Sequence, residues 1–450
     1  MKVKSLSRSS DVYLPARNTE VSRLPRNLDP ELHPFERARE YSRALNATKL
    51  SRVFAQPFVG QLGHGHIDGV YCLAKNIKRI NAIASGSGDG IIKYWDLTTR
   101  EEAVSLKAHH GIVKGLAVTL DGNMLSCGMD NTVKLWDVNK ASEPEGGLVK
   151  TFLGGSGFTG IDHHRTNSIF ATSSNKVEVW DITRSKPTAD LSWGADNVNS
   201  VKFNLSEQSI LASTGSDRSI VIHDLRSNSP VQKLVTLMRT NTICWNPIEA
   251  FNFAAANEDH NVYMYDMRKL TRALNVYKDH VGAVMDVDFS PTGQELVTGS
   301  YDKTIRIFRV REGHSRDIYH TKRMQRVMCV RFSMDTRYIF SGSDEGNIRI
   351  WRTEASSRTG VKSARQRAKL EYDAALIERY KNMPEIRRIS RHRHVPKPIK
   401  TATEIKKTEV ASIKRKEDNM RKRSKKGSMP FQKEREKHVI GVAINPPQKE

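Results

Sequence analysis

The stretch "GSGDGIIKYWD", residues 86–96, decides how the rest of the chain is read. Its glycines, Gly86, Gly88 and Gly90, are spaced like the opening of a phosphate-binding loop. The same stretch recurs as "GMDNTVKLWD" (128–137), "GSDRSIVIHD" (215–224), "NEDHNVYMYD" (257–266), "GSYDKTIRIFR" (299–309) and "GSDEGNIRIWR" (342–352). A shortened copy, "SSNKVEVWD", covers 173–181. In each full copy an acidic residue stands six places before an aromatic or His: Asp89, Asp130, Asp217, Asp259, Asp302 and Glu345, with Ser174 at that place in the shortened copy. Successive aromatic positions are 41, 44, 43, 42, 43 and 43 residues apart. A period of this size marks an array of supersecondary units that bury their faces against one another.

Each unit opens with an apolar run, such as Val284, Val287, Phe289 or Val327, Val330, Phe332. A polar turn, a small-residue strand ending in Ser or Thr, a tight acidic turn and an alternating strand follow. Alternation of period two between closely spaced turns means antiparallel strands. A phosphate loop needs a helix directly behind it, and here a strand follows, so the glycines are read as permitting a tight turn. Ser, His and Asp within one unit match a hydrolase triad by residue type only; their repetition along the chain is the mark of scaffolding.

The pattern resembles the WD-repeat family. The expected fold is therefore all-β, a seven-bladed WD-repeat β-propeller, with seven units between about residue 64 and residue 353. The resemblance implies a structural tetrad inside a blade: His66, Ser85, Asp89 and Trp95 in the first, His109, Ser126, Asp130 and Trp136 in the second, with the first as the best copy. Buried indole N–H groups and turn carboxylates need such partners in any case. Other blades depart from the pattern. The third lacks a leading His and has a shortened turn. His223 replaces Trp in the fourth, Ala255 and Tyr265 mark the fifth, Phe308 ends the sixth, and Glu345 and Arg323 mark the seventh. "RVFAQPFVGQL" (52–62) is expected to supply the outer strand of the last blade, closing the ring and protecting sheet edges.

The formal net charge of the 450 residues is +23, which favours an acidic partner, nucleic acid first. Residues 354–450 carry 27 Lys+Arg against 12 Asp+Glu, and residues 1–50 carry 10 against 6, so a nearly balanced body bears a strongly basic tail. Cys72, Cys127, Cys244 and Cys329 form no C-x-x-C pair and read as free thiols in a reducing compartment. The start of the sequence has no apolar signal core, and no run reaches the roughly 18 apolar residues of a membrane span. The expectation is a soluble intracellular chain without membrane attachment.

Three regions follow: an N-terminal arm (1–51), the propeller (52–353) and a basic, partly helical C-terminal extension (354–450). Pro15, Pro25, Pro30 and Pro34 break helices in the arm, although 35–54 has helical character. In the tail, 363–383 has helical spacing through Ala368, Tyr372, Leu376, Tyr380 and Met383, stopping before Pro384. A second helix is expected over 403–426, with Ile405, Ile413 and Met420 on one face. Arg387, Arg388, Arg391 and Arg393 form one basic cluster; Lys414, Arg415, Lys416, Arg421, Lys422, Arg423, Lys425 and Lys426 form another. Both are candidate RNA-binding groups, since Arg forks meet phosphate bidentately; the bland reading is a solvated charged helix. "RKRSKK" (421–426) also fits a nuclear-import signal. His392, His394, His163 and His164 have no Cys or carboxylate cluster with them, so no metal site is expected.

"PRNLDPELHPFERAREYSRALNATKL" (25–50), the seven-unit body and "YDAALIERYKNMPEIRRISRHRHVPKPI" (372–399) together resemble the Sof-like ribosome-biogenesis proteins, also described as WD-repeat and Sof-domain proteins. The resemblance implies a non-catalytic scaffold of the nucleolar small-subunit processome, with no cofactor and no small-molecule substrate. It would serve 18S pre-rRNA processing and 40S assembly by binding pre-rRNA or box C/D small nucleolar RNA and other processome proteins. Family members are also described as substrate receptors of cullin-4 ubiquitin ligases, which carry a W-D-x-R box. Here "HDLR" (223–226) and "YDMR" (265–268) keep the acid and the Arg, making Asp224, Arg226, Asp266 and Arg268 a possible adaptor box. The simpler reading is that Asp224 and Asp266 cap a turn, as Asp96 and Asp137 do, which leaves the two arginines unexplained.

Overall fold

A computed structural model of the chain describes residues 29–140, 147–194, 197–357 and 360–444. The recurrent acidic turn has one conformation throughout. The residue after each turn acid is left-handed: Gly90 (φ 81°), Asn131 (60°), Arg218 (64°), His260 (72°), Lys303 (65°) and Gly346 (83°). A side-chain oxygen of the preceding aspartate accepts the N–H two residues on, as Asp89 does from Ile91 (3.0 Å) and Asp302 from Thr304 (2.9 Å). Glycine is required at position 90 for a second reason, since a Cβ there would lie 2.1 Å from the His109 carbonyl oxygen. The opening glycine is thus a hairpin device, matching the preference of such turns for residues that tolerate positive φ.

Seven antiparallel sheets result, and the fold is a seven-bladed β-propeller. Blade one runs Val70–Lys75, Ala82–Ser87, Ile91–Asp96, Glu101–Lys107, and blade two Val113–Val118, Met124–Gly128, Thr132–Trp136, Leu148–Leu153. Blade three is the shortest in strand length, ending in Ala189–Leu191. Blades four, five and six start at Val198, Thr240 and Val284. Blade seven has three consecutive strands, Val327–Phe332, Tyr338–Ser343 and Ile348–Arg352; its outer strand is Phe58–Gln61, paired antiparallel with Ile348–Arg352. The ring is therefore closed by a segment from before the first blade, which pairs the edge of Ile348–Arg352 that three consecutive strands would leave open. The closing strand is four residues long, shorter than 52–62, because the preceding chain is helical through Val53.

The core is a set of inter-blade clusters, for example Leu116, Met124 and Trp136 against Cys72, Ala84 and Ile92. All four cysteines are free; Cys72, Cys127 and Cys329 are buried, and burial pushes the Cys127 thiol up to about 12. Carboxylates on the innermost strands stitch neighbouring blades: Asp162 accepts from the Phe203 N–H (2.9 Å), Asp286 from Val330 (3.0 Å) and Asp288 from Phe332 (2.8 Å).

The remaining chain falls into two groups. The described residues up to Pro57, with residues 354–393, form one compact unit; residues 58–353 and 394–444 belong to the other. In the first unit, helix α1 (Glu36–Val53) packs Ala44 against Leu376 of α2 (Ala364–Arg379) and Ile386 of α3 (Pro384–Arg391). Arg52 donates to the Ser390 carbonyl (2.7 Å), and Tyr380 to Glu40 (2.8 Å). The helix seen over 36–53 matches the helical character of 35–54. Pro384 ends the expected first tail helix but also opens α3 as its first residue, where the missing N–H costs nothing.

In the second unit, α4 (Lys397–Arg423) is followed by the one-turn α5 (Glu434–Lys437) and a strand, Val439–Ile444. That strand pairs with Ser229–Thr236 as a fifth strand on the outside of blade four. Ile405, Ile413 and Met420 lie on α4 and are exposed.

Candidate functional site

The tetrads are internal struts. In blade two, Trp136 Nε1–H donates to Ser126 Oγ (2.9 Å), Ser126 bonds His109 Nε2 (2.8 Å), and His109 Nδ1 reaches Asp130 (3.0 Å). Burial lowers the His109 pKa, against the pull of Asp130, and so favours the neutral imidazole. Burial works against the Asp130 charge, yet donations from Thr132 and His109 bring its carboxyl below the usual range. Blade six repeats the relay as Thr298–His280 (2.7 Å) and His280–Asp302 (2.8 Å), and Phe308 ends it without an N–H.

Blade one is looser than the sequence led one to expect. Trp95 and His66 both bond Ser85 Oγ (2.7 and 2.6 Å), but among the described residues His66 Nδ1 and Asp89 Oδ2 are buried without a hydrogen-bond partner. Asp89 is used instead to cap its own turn. The complete four-membered relay is that of blade two, not blade one.

The degenerate blades each find a substitute. In blade three, Trp180 donates to Thr172 (2.9 Å) without a histidine. In blade four, His223 takes the place of the indole against Ser213 (2.9 Å). Blade five has no hydroxyl at Ala255, and the missing partner comes from the other end of the chain. His438 shares a 2.6 Å hydrogen bond with the Tyr265 hydroxyl and stacks on Tyr263 at 3.7 Å. Sequence reasoning missed this residue. The signal was the apolar run 439–444 behind it, isolated in a polar tail.

At the possible adaptor box, Asp224 and Asp266 do cap turns, accepting the N–H of Arg226 and Arg268 (2.9 Å each), as Asp96 does for Thr98 (2.8 Å). The arginines differ from each other. Arg268 pairs with its own Asp266 (2.9 and 3.1 Å) and lies over the Phe251 ring at 4.2 Å. Arg226 touches Asp224 only at 3.5 Å, and its side chain is 80% exposed. Both stand at equivalent positions of consecutive blades.

The two basic clusters fall in different units. Arg387, Arg388 and Arg391 project from α3 and are exposed; Arg393 is half-buried, donating to the carbonyls of Ser390 and His392. Lys414, Arg415, Lys416, Lys422, Arg423, Lys425 and Lys426 are exposed on α4 and just beyond it. Arg421 is committed to Asp418 (3.0 Å) and to the Phe431 ring. Arg393 and Arg421 are thus half-buried and tied to their own surroundings, whereas the other members of the two clusters are exposed.

A family profile described as Sof1-like domain matches residues 353–439, and one described as WD domain, G-beta repeat matches 58–96, 100–137, 271–309 and 312–352. Protein SOF1 of Saccharomyces cerevisiae is 60% identical over 466 residues, spanning 98% of this chain and 95% of its own. The chain belongs to the Sof1-like family of WD-repeat proteins. Protein sof1 of Schizosaccharomyces pombe is 57% identical, and DDB1- and CUL4-associated factor 13 of Xenopus tropicalis 50%, each over 98% of this chain and 100% of the relative. This member of the family is a WD-repeat scaffold. The four matched repeats omit most of blades three to five, the same blades whose tetrads are replaced. The Sof1-like domain straddles the two units, dividing at Arg393.

Proposed function

We propose that the protein is a non-catalytic scaffold of the nucleolar small-subunit processome, acting in 18S pre-rRNA processing and 40S assembly by binding RNA and processome proteins. The observation that carries this reading is the identity to Protein SOF1 along essentially the whole chain, basic tail included. The exposed arginines of α3 and the exposed cations of α4 supply phosphate-binding chemistry that the propeller body does not need for its own packing. Crosslinking and sequencing of RNA bound to the tagged chain in cells tests it. Recovery of small-subunit precursor rRNA or box C/D RNA is expected, and recovery of neither would refute the RNA role.

A second reading is favoured by one feature, the exposed Arg226 two residues after the turn-capping Asp224, with Asp266 and Arg268 at the equivalent place in the next blade. Relatives named DDB1- and CUL4-associated factor 13 share half of this sequence. On this reading Arg226 and Arg268 meet the DDB1 adaptor of a cullin-4 ligase. The paired change Arg226→Ala, Arg268→Ala should abolish adaptor binding and leave the melting temperature within a few degrees. A wild-type chain that does not bind the adaptor ends this reading.

A further inference from the structure

The propeller carries a cavity of about 630 Å³ beside the turn of blade six. One wall is propeller: Val281, Tyr301, Lys303, His320, Lys322 and Met324. The facing wall is the chain entering α4, from His394 through Pro396, Pro398 and Ile399 to Ala402, and all of these residues belong to the same unit. Tyr301 is 39% exposed, with the Arg326 guanidinium 5.3 Å from its ring centre. His320 donates to the His394 carbonyl (3.1 Å), and the two imidazoles lie 5.6 Å apart. Lys322 lines the cavity and is exposed; its chain neighbours Arg323 and Arg326 are exposed too, Arg326 beside the lining Tyr301, and Lys397 and Lys400 are exposed at the start of α4. The carboxylate among the lining residues, Asp302, is turned to His280 and Thr304. The Thr321 hydroxyl, also in the lining, is buried with no partner among the described residues.

We infer that this slot takes an unpaired base of a single-stranded RNA, with the adjoining phosphates on Lys322, Arg323 and Arg326. The inference rests on the RNA-binding reading above and locates one contact within it. An apolar floor with flat faces (Tyr301, two imidazoles, two prolines) under a cationic rim is the arrangement that holds single strands, where every base offers a face to stack and the backbone follows the charge. The volume lies within the range that encloses ligands of nucleotide size. Duplex RNA keeps its bases stacked inside and presents none to a slot. An acidic peptide would satisfy the rim but leave the apolar floor unfilled.

The test uses the full chain and a fluorescein-labelled short single-stranded RNA, with the matching duplex as comparison. Ala402→Trp fills the slot without altering charge, and Tyr301→Ala removes the stacking face. Each should weaken single-strand binding roughly tenfold and leave duplex binding unchanged. The pair Lys322→Ala, Arg323→Ala should lower the single-strand salt slope by about 1.4. Ultraviolet crosslinks should map to Tyr301, His320 or His394. If Ala402→Trp melts early, Tyr301→Ala carries the test, because its ring is partly exposed and outside the core. Wild-type affinity in both variants, with crosslinks on α3 or elsewhere on α4, overturns the slot and leaves the RNA reading standing. Failure of the wild-type chain to bind any RNA overturns both. Displacement of RNA by an acidic peptide that crosslinks within the slot would make it a protein-docking site and overturn the proposal.

Discussion

Trp136 shows what the tetrad is for. Its indole is buried, its N–H is satisfied by Ser126, and it belongs to a core cluster shared with Ala84 and Ile92 of the neighbouring blade. Trp136→Ala should lower the unfolding free energy by about 3–5 kcal/mol, the usual cost of emptying a core aromatic site. Denaturant unfolding measures it; lost partner binding at unchanged stability would contradict a structural role. The buried histidines set a pH dependence. Burial lowers His66 and His438 to about 4 and His223 to about 3, while an unfolded imidazole titrates near 6.5. The unfolded chain therefore takes up protons first. The histidine contribution to stability is fully present above about pH 6.5 and falls away as the pH drops towards 4 and 3. The melting temperature should decline over that window. His223→Gln keeps a hydrogen-bonding group for Ser213 and should flatten the decline; an unchanged slope would show that His223 is not among its causes.

The strand Val439–Ile444 and His438 form a strap that joins the end of the described chain to blades four and five. Removing residues 434–450 takes a strand from the edge of Ser229–Thr236 and leaves the Tyr265 hydroxyl buried without its partner. The truncated chain should aggregate through the open edge, seen as high-mass species in size-exclusion chromatography. His438→Ala alone should cost about 1–3 kcal/mol, the penalty of an orphaned buried hydroxyl, while keeping the chain monomeric. A monomeric truncation with wild-type stability would contradict the strap. The same element marks the limit of what the sequence discloses. Blades one, two and six were legible because acid, left-handed turn residue and alternating strand are local in sequence. The closing strand was legible in place but not in length, because helix α1 runs on to Val53. The strap was not legible as such, because its partners lie about 170–210 residues away and Ala255, the gap it serves, reads as a mere deviation. The exposure of Arg226 and the half-burial of Arg393 are likewise not encoded by residue type.

The charge of the molecule is divided between its two units, and this governs how RNA binding is to be dissected. Deleting everything after residue 383 would remove α3, α4 and the strap together, so lost binding could not be separated from a damaged propeller edge. Point substitutions avoid this. Arg387, Arg388 and Arg391 are exposed on α3, whereas Arg393 holds the carbonyls of Ser390 and His392 and is better left in place. Each phosphate neutralised on a single strand contributes about 0.7 to the slope of log affinity against log salt. The triple change to Ala should therefore lower that slope by about 2 if all three meet phosphate, with the melting curve unchanged because none of the three is part of the Ala44–Leu376–Ile386 core. Replacement by Lys should restore most of the slope but less of the affinity, since an ammonium keeps the charge and loses the bidentate fork. A slope unchanged by the Ala triple would assign the phosphate contacts to α4 and the slot of blade six. The basic face of α3 would then be a solvated or protein-facing surface.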